Sequence, residues 1–94
     1  MRRAWRRRIR QRYKAMIKEL NQIVLKEDLP EQGLQAGDIG TVVLIHQNGK
    51  GYEVEFVALD GETIAVISLF ANQVRSIKER EIANVRCVEL PLAA

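Results

Sequence analysis

Apolar and polar residues alternate most regularly between Ile39 and Leu69, and a turn-forming pair interrupts the alternation twice. Tyr52, Val54 and Phe56 fall on one side of an extended chain while Glu53 and Glu55 fall on the other. That is the period-two signature of a strand with one buried and one wet face. Asn48-Gly49 precedes this run and Asp60-Gly61 follows it. Both pairs tolerate the positive φ that a tight hairpin demands, so they predict a three-stranded antiparallel meander over about 39–46, 52–57 and 62–69. In its first strand Thr41, Val43 and Ile45 alternate with Val42 and Leu44, making both faces apolar. Such a strand expects cover on each side, from the core and from a helix or second sheet. In its third strand Ile64, Val66 and Ser68 oppose Thr63, Ala65, Ile67 and Leu69.

Shorter elements flank the meander. Ile23, Val24 and Leu25 predict a first strand within 21–26, and β-branched residues favour that assignment. The stretch 28–38, broken by Pro30, Gly33 and Gly37, reads as a long loop. Phe70-Ala71-Asn72-Gln73 suits a single 3₁₀ turn. Val74 to Ile77 predicts a brief strand, 78–81 a solvated connection, and 82–90 a sixth strand that Pro91 stops. Before all of these, Trp5, Ile9, Tyr13, Met16 or Ile17, and Leu20 recur every three to four residues. They form the stripe of a helix that like-charge repulsion would leave frayed until it meets a surface. Strand, long loop, meander, 3₁₀ turn and closing strand is the element order of an SH3-like barrel. The expected fold is mainly β, a small, partly open antiparallel barrel of five to six short strands preceded by a basic N-terminal helix. The expected layout is a basic arm over 1–20, the barrel over 21–90 and a tail over 91–94.

Charge divides the chain sharply. Residues 1–15 carry eight basic side chains, Arg2, Arg3, Arg6, Arg7, Arg8, Arg10, Arg12 and Lys14, and no acid. The remainder sets seven bases against all twelve acids, so a +8 arm precedes a body of −5. Three uses of the arm follow: salt-dependent binding of nucleic-acid phosphates, an anionic membrane surface under the Trp5, Ile9 and Tyr13 stripe, or docking on the acidic face of its own or a neighbouring barrel. A single cysteine, Cys87, excludes an intramolecular disulfide and points to a reducing, cytoplasmic setting. No apolar run approaches the roughly 20 residues of a membrane-spanning helix.

Candidate chemistry is sparse. Gly37-Asp38-Ile39-Gly40 invites comparison with phosphate-binding loops and with the nucleic-acid-binding KOW motif, but a phosphate loop needs a helix behind it and here a strand follows. Gly37, Asp38, Gly40, Asn48, Gly49, Asp60 and Gly61 are instead expected to be turn residues. Glu53 and Glu55, with Asp60 and Glu62 in the next turn, lack the histidines and fixed spacing of a metal site and read as a negative patch that steers a basic partner. His46 is expected exposed at a hairpin end and Cys87 buried; Ser68 and Ser76 have no nucleophile-elbow context. No catalytic set, metal site or cofactor site is predicted. Tyr52 and Phe56 point inward, which leaves Phe70 alone as a surface aromatic, too few for a proline-peptide groove.

Met16-Ile17-Lys18-Glu19-Leu20, Ile23-Val24-Leu25, Asp28-Leu29-Pro30-Glu31-Gln32-Gly33-Leu34, Gly37-Asp38-Ile39-Gly40-Thr41-Val42-Val43, Tyr52-Glu53-Val54-Glu55-Phe56 and Asp60-Gly61 occur in this order. As an ordered set they resemble a family of small bacterial proteins catalogued as domain of unknown function 4926, over about residues 16–77. The resemblance implies a compact β-barrel without enzymatic activity that serves as the small partner in toxin and antitoxin pairs. It also implies a family start at Met16, so that residues 1–15 are either a functional arm or translation from an upstream start. No site residues come with it.

The expected function is a non-catalytic protein-binding module, antitoxin-like or immunity-like, that captures a basic toxin through Glu53, Glu55, Asp60 and Glu62 with apolar contacts from Leu29 and Leu34. The alternative is a nucleic-acid-binding module that works through the basic arm.

Overall fold

A computed structural model describes residues 17–89. Within them the chain forms five strands, β1 (Gln22–Leu25), β2 (Ile39–His46), β3 (Gly51–Val57), β4 (Thr63–Phe70) and β5 (Val74–Ser76). They make one open antiparallel sheet in the order β4-β3-β2-β1-β5. The meander is therefore as expected, and β1 sits between its first strand and the closing one.

The inward positions of this sheet converge on one core. Ile23 and Leu25 of β1, Val42 of β2, Tyr52, Val54 and Phe56 of β3, Leu69 of β4, Val74 of β5 and Leu34 of the long loop form its buried cluster. Four of these side chains, Ile23, Leu25, Val42 and Val54, are essentially inaccessible. Burying each contributes about 1.5–3 kcal/mol relative to leaving it exposed. Because strands β1 and β5 fold round to share this cluster with β3 and β4, the sheet curls in a barrel-like manner. Gly40 permits the closest approach. A Cβ there would lie 2.5 Å from Val54 Cγ1 and 2.9 Å from Phe56 Cε1, so the Val54 and Phe56 side chains of β3 can pack over β2 only with a hydrogen at that position.

Several local expectations are corrected. Gly40 belongs to β2 rather than to a turn. The pairing of β2 with β3 shifts between Val42 and Leu44, so Val43 is the extra residue of a β-bulge. The bulge resets the alternation: Val42 and Ile45 both contact the core, while Val43 and Leu44 are left exposed. No helix or second sheet covers that outer side among the described residues. A second irregularity, between Phe56 and Val57, skips Ile64 of β4 and turns it toward the core.

The hairpins also differ from two-residue turns. Gln47 and Asn48 both have positive φ, at 47° and 59°, and Gly49 follows at 94°. The Gly49 N–H donates to the His46 carbonyl at 3.0 Å. The mirror-image turn thus centres on Gln47-Asn48, one residue earlier than expected. At the next corner the Gly61 N–H donates to Ala58 O at 2.9 Å and Ala58 N to Glu62 O at 2.8 Å. Gly61, at φ 98°, takes the left-handed position that ends a three-residue hairpin loop.

Two 3₁₀ turns occur instead of one, at Pro30–Gln32 and at Ala71–Gln73. In the second, Gln73 Oε1 accepts from the Phe70 N–H at 2.7 Å, closing the turn between β4 and β5. The expected basic helix falls mainly on residues outside those described. Its end at 17–20 is a turn, with Asn21 N donating to Lys18 O at 3.1 Å and Leu20 at φ 70°. The expected sixth strand is absent from 82–89: these residues run on without ladder pairing. Cys87, expected inside, is exposed on this segment.

Candidate functional site

The register of β2, β3 and β4 determines what the outer face of the meander presents. Leu44 lies opposite Glu53 and Glu53 opposite Ser68; Thr41 lies opposite Glu55 and Glu55 opposite Val66; His46 lies opposite Gly51 and Gly51 opposite Phe70. Directly opposed residues share a face of the sheet. The result is a central column of two carboxylates flanked by Leu44 on one side and by Val66 and Phe70 on the other, all three exposed. Phe70, at 73% exposure, stands beside the empty position of Gly51.

Glu53 is held in place by its neighbours. The Ser68 hydroxyl donates to Glu53 Oε2, and His46 Nε2 lies 3.0 Å from the same oxygen. The Ser68 hydrogen bond and, next, the His46 ring hold the Glu53 carboxyl below the usual carboxylate range. Glu55 is the acceptor for the Thr63 hydroxyl at 2.9 Å. His46 is thus partly covered by an acid partner rather than freely exposed, with 42% of its side chain accessible. Serine and histidine here share one carboxylate oxygen and do not bond to each other, so His46 is not placed as a base for the Ser68 hydroxyl.

The other expected site residues scatter. Asp60 turns back on its own loop, accepting from the Glu62 N–H at 3.0 Å, and both residues are exposed at the corner between β3 and β4. Leu29 and Leu34 pair with each other across an isolated bridge. Leu34 is in the core at 4% exposure and Leu29 packs against it, so these two leucines are not a free apolar surface. The basic residues from Arg2 to Lys14 lie outside the described residues.

One arrangement had no sequence signal. The segment after β5, here called the strap (77–89), is tied down by side chains instead of backbone pairing. Arg75 Nη1 and Nη2 donate to the two oxygens of Glu81 at 2.9 and 2.6 Å. Glu81 also accepts the Lys78 N–H at 2.6 Å. Arg75 and then the Lys78 amide hold the Glu81 carboxyl down to about 2. Further along, Arg86 Nε donates to Asp38 Oδ1 at 2.9 Å, its Nη2 to Asp38 Oδ2, and the same Nη2 to Gly33 O at 3.1 Å. Between these ties the strap borders a groove with Val24, Ile39, Ile77 and Ile82. Val24, on the β1 face away from the core cluster, is 7% exposed there. Asp38 therefore does more than shape a turn: it accepts the Gln35 N–H at 2.8 Å and anchors the strap.

Among the described residues, no three histidine, cysteine or acidic side chains converge as a metal-binding group, and no helix is long and apolar enough to cross a membrane. Fold and surface together define a small, mainly β protein, an open five-stranded sheet with a carboxylate-centred, apolar-edged outer face. The chain belongs to the family described as domain of unknown function 4926, whose model matches residues 19–76. That span runs from the turn before β1 to the last residue of β5, leaving the strap outside it. No curated protein and no solved structure matches the chain.

Proposed function

We propose that this protein is a non-catalytic binding module whose outer β2-β3-β4 face captures a basic, partly apolar protein surface. The observation that carries the reading is the register that brings Glu53 and Glu55 to the middle of that face with Leu44, Val66 and Phe70 along its margins. Carboxylates steer a cationic partner into place, and the exposed aliphatic and aromatic groups supply the area that becomes dry on contact. Asp60 and Glu62 extend the negative field at the corner of the sheet. The strand order and the 3₁₀ turn between β4 and β5 support assigning the curled sheet to the SH3-like barrels. The partner of this reading is a basic toxin, with the present protein as its antitoxin-like or immunity-like companion in the cytoplasm.

The test is co-purification with the product of the neighbouring gene, comparing wild type with Glu53→Lys, Glu55→Lys, Asp60→Lys and Glu62→Lys combined. Capture by wild type and its loss in the reversed variant is the expected result. Capture that survives charge reversal removes the assignment of this face. The +8 charge of residues 1–15 supports a second reading, nucleic-acid binding through the arm. That reading expects affinity for RNA or DNA that falls steeply between 50 and 200 mM salt and disappears when residues 1–15 are removed.

A further inference from the structure

The two edges of the sheet are unlike. β5 is three residues long, carries Arg75, and leads directly into the strap that Arg75 and Glu81 tie down. A short, charged, covered strand is the ordinary way to protect an edge. β4 is eight residues long, Thr-Ile-Ala-Val-Ile-Ser-Leu-Phe, without a charged residue, proline or glycine. It is the other edge, paired only to β3. The uncharged run extends from Thr63 to Val74, the longest stretch free of Asp, Glu, Lys and Arg among the described residues. Val66 and Phe70 along it are 53% and 73% exposed. The usual protections are missing from its main run: there is no lysine, no proline and no short length, and the one irregularity, at Ile64, lies near its start and leaves Ala65 to Phe70 regular.

We infer that β4 pairs antiparallel with β4 of a second copy of this chain, joining two five-stranded sheets across a two-fold axis. Charge selects this occupant. The described body is net acidic, with seven bases against twelve acids, so the bodies of two copies repel wherever their charged surfaces meet. β4 is the one long strand on which they meet without any charge. With the axis at Ile67, Ser68 of each copy lies opposite Val66 of the other. The nearest carboxylates, Glu53 and Glu55 of the two copies, are then three strand spacings apart, about 14 Å. That exceeds the Debye length of about 8 Å at physiological salt, so the acidic columns do not oppose the contact. A foreign strand would find no charge on this edge with which to be distinguished from any other, whereas a two-fold contact requires only that the strand complement itself. The inference does not depend on the proposed partner: it uses the unpaired backbone of β4, although the Val66 and Phe70 side chains also line the face.

The experiment is sedimentation equilibrium of the full chain over 1–500 μM, with amide hydrogen exchange on the same samples. Wild type is expected to reach twice its 10.7 kDa mass, and β4 amides are expected to become at least tenfold more protected as the dimer fills. Val66→Lys and Phe70→Lys, both at exposed positions, are expected to give monomers with an unchanged circular dichroism spectrum. Glu53→Lys, one strand away, is expected to remain a dimer. A monomer at every concentration overturns the inference. So does a dimer that keeps its mass in both edge-lysine variants, or one that is lost only when residues 1–15 are deleted, since either result places the contact elsewhere. A monomer whose β4 amides gain protection only on adding another protein assigns the edge to a foreign strand and overturns it as well.

Discussion

Arg86 closes its guanidinium on both carboxylate oxygens of Asp38 while also reaching the Gly33 carbonyl, joining the strap to the loop that precedes β2. The two residues are 48 positions apart, and the contact ties a residue beyond the family-matched span to one inside it. A forked pair of charge-assisted bonds orients as well as attracts. Both side chains keep some solvent access, at 28% and 18%, so solvent screens part of their attraction.

Replacing Arg86 with alanine is therefore expected to cost about 1 kcal/mol of global stability, because the pair is partly screened and the sheet does not depend on it. The larger effect is local. Without the anchor the strap lifts from the groove beside Val24, and its amides are expected to exchange faster while those of β3 are unchanged. Hydrogen exchange resolved by residue measures both. Arg86→Lys restores the charge but not the fork, so only partial recovery is expected.

The second anchor gives a pH dependence. Glu81 is held down to about 2 in the folded protein, against 4.5 for an unconstrained glutamate. A depressed folded-state value stabilises the fold above the unfolded value and loses that contribution as pH falls through the folded one. The strap tie is thus complete above about pH 5, weakens from 4.5 downward and is gone below about 2. Carboxyl NMR titration is expected to place the Glu81 midpoint near 2, and Glu81→Gln to remove that part of the acid sensitivity.

Gly40→Ala tests the packing of Val54 and Phe56 over β2. The added methyl would lie 2.5 Å from Val54 Cγ1 and 2.9 Å from Phe56 Cε1, and both partners are buried and unable to swing into solvent. Overpacking of this kind costs about 1–3 kcal/mol. Urea denaturation is expected to show a lower midpoint with the same slope.

Gln47 tests the first hairpin. It holds φ 47° although it is neither glycine nor asparagine, a conformation that costs an ordinary residue about 1–2 kcal/mol. Gln47→Gly relieves this cost but adds unfolded-state freedom, so a net gain of about 0.5 kcal/mol is expected in thermal or urea unfolding.

Local signals in the chain determine the meander, the inward placement of Tyr52, Val54 and Phe56, and the outward placement of Glu53 and Glu55. Period-two alternation and turn-forming pairs are properties of neighbours, legible without any fold. What alternation could not register was a skipped position. The bulge at Val43 exposes Leu44 and turns Ile45 inward, because the residue left over in a ladder is chosen by how two strands meet. Leu34 was misplaced for a related reason: a leucine in a loop is surface or core according to whether the sheet curls over it.

The tertiary structure alone decided the strap. Residues 82–90 read as a sixth strand, yet among the described residues no neighbouring edge pairs with 82–89, and the chain is held instead by Arg75 with Glu81 and by Arg86 with Asp38. Hydrogen bonding between side chains far apart in sequence leaves no periodic trace. Likewise the alternation could mark Thr63 to Phe70 as a strand, but only the sheet order made it an edge. Strand formation follows from a residue's own neighbours, whereas edge, groove and anchor follow from which distant segments the fold brings alongside.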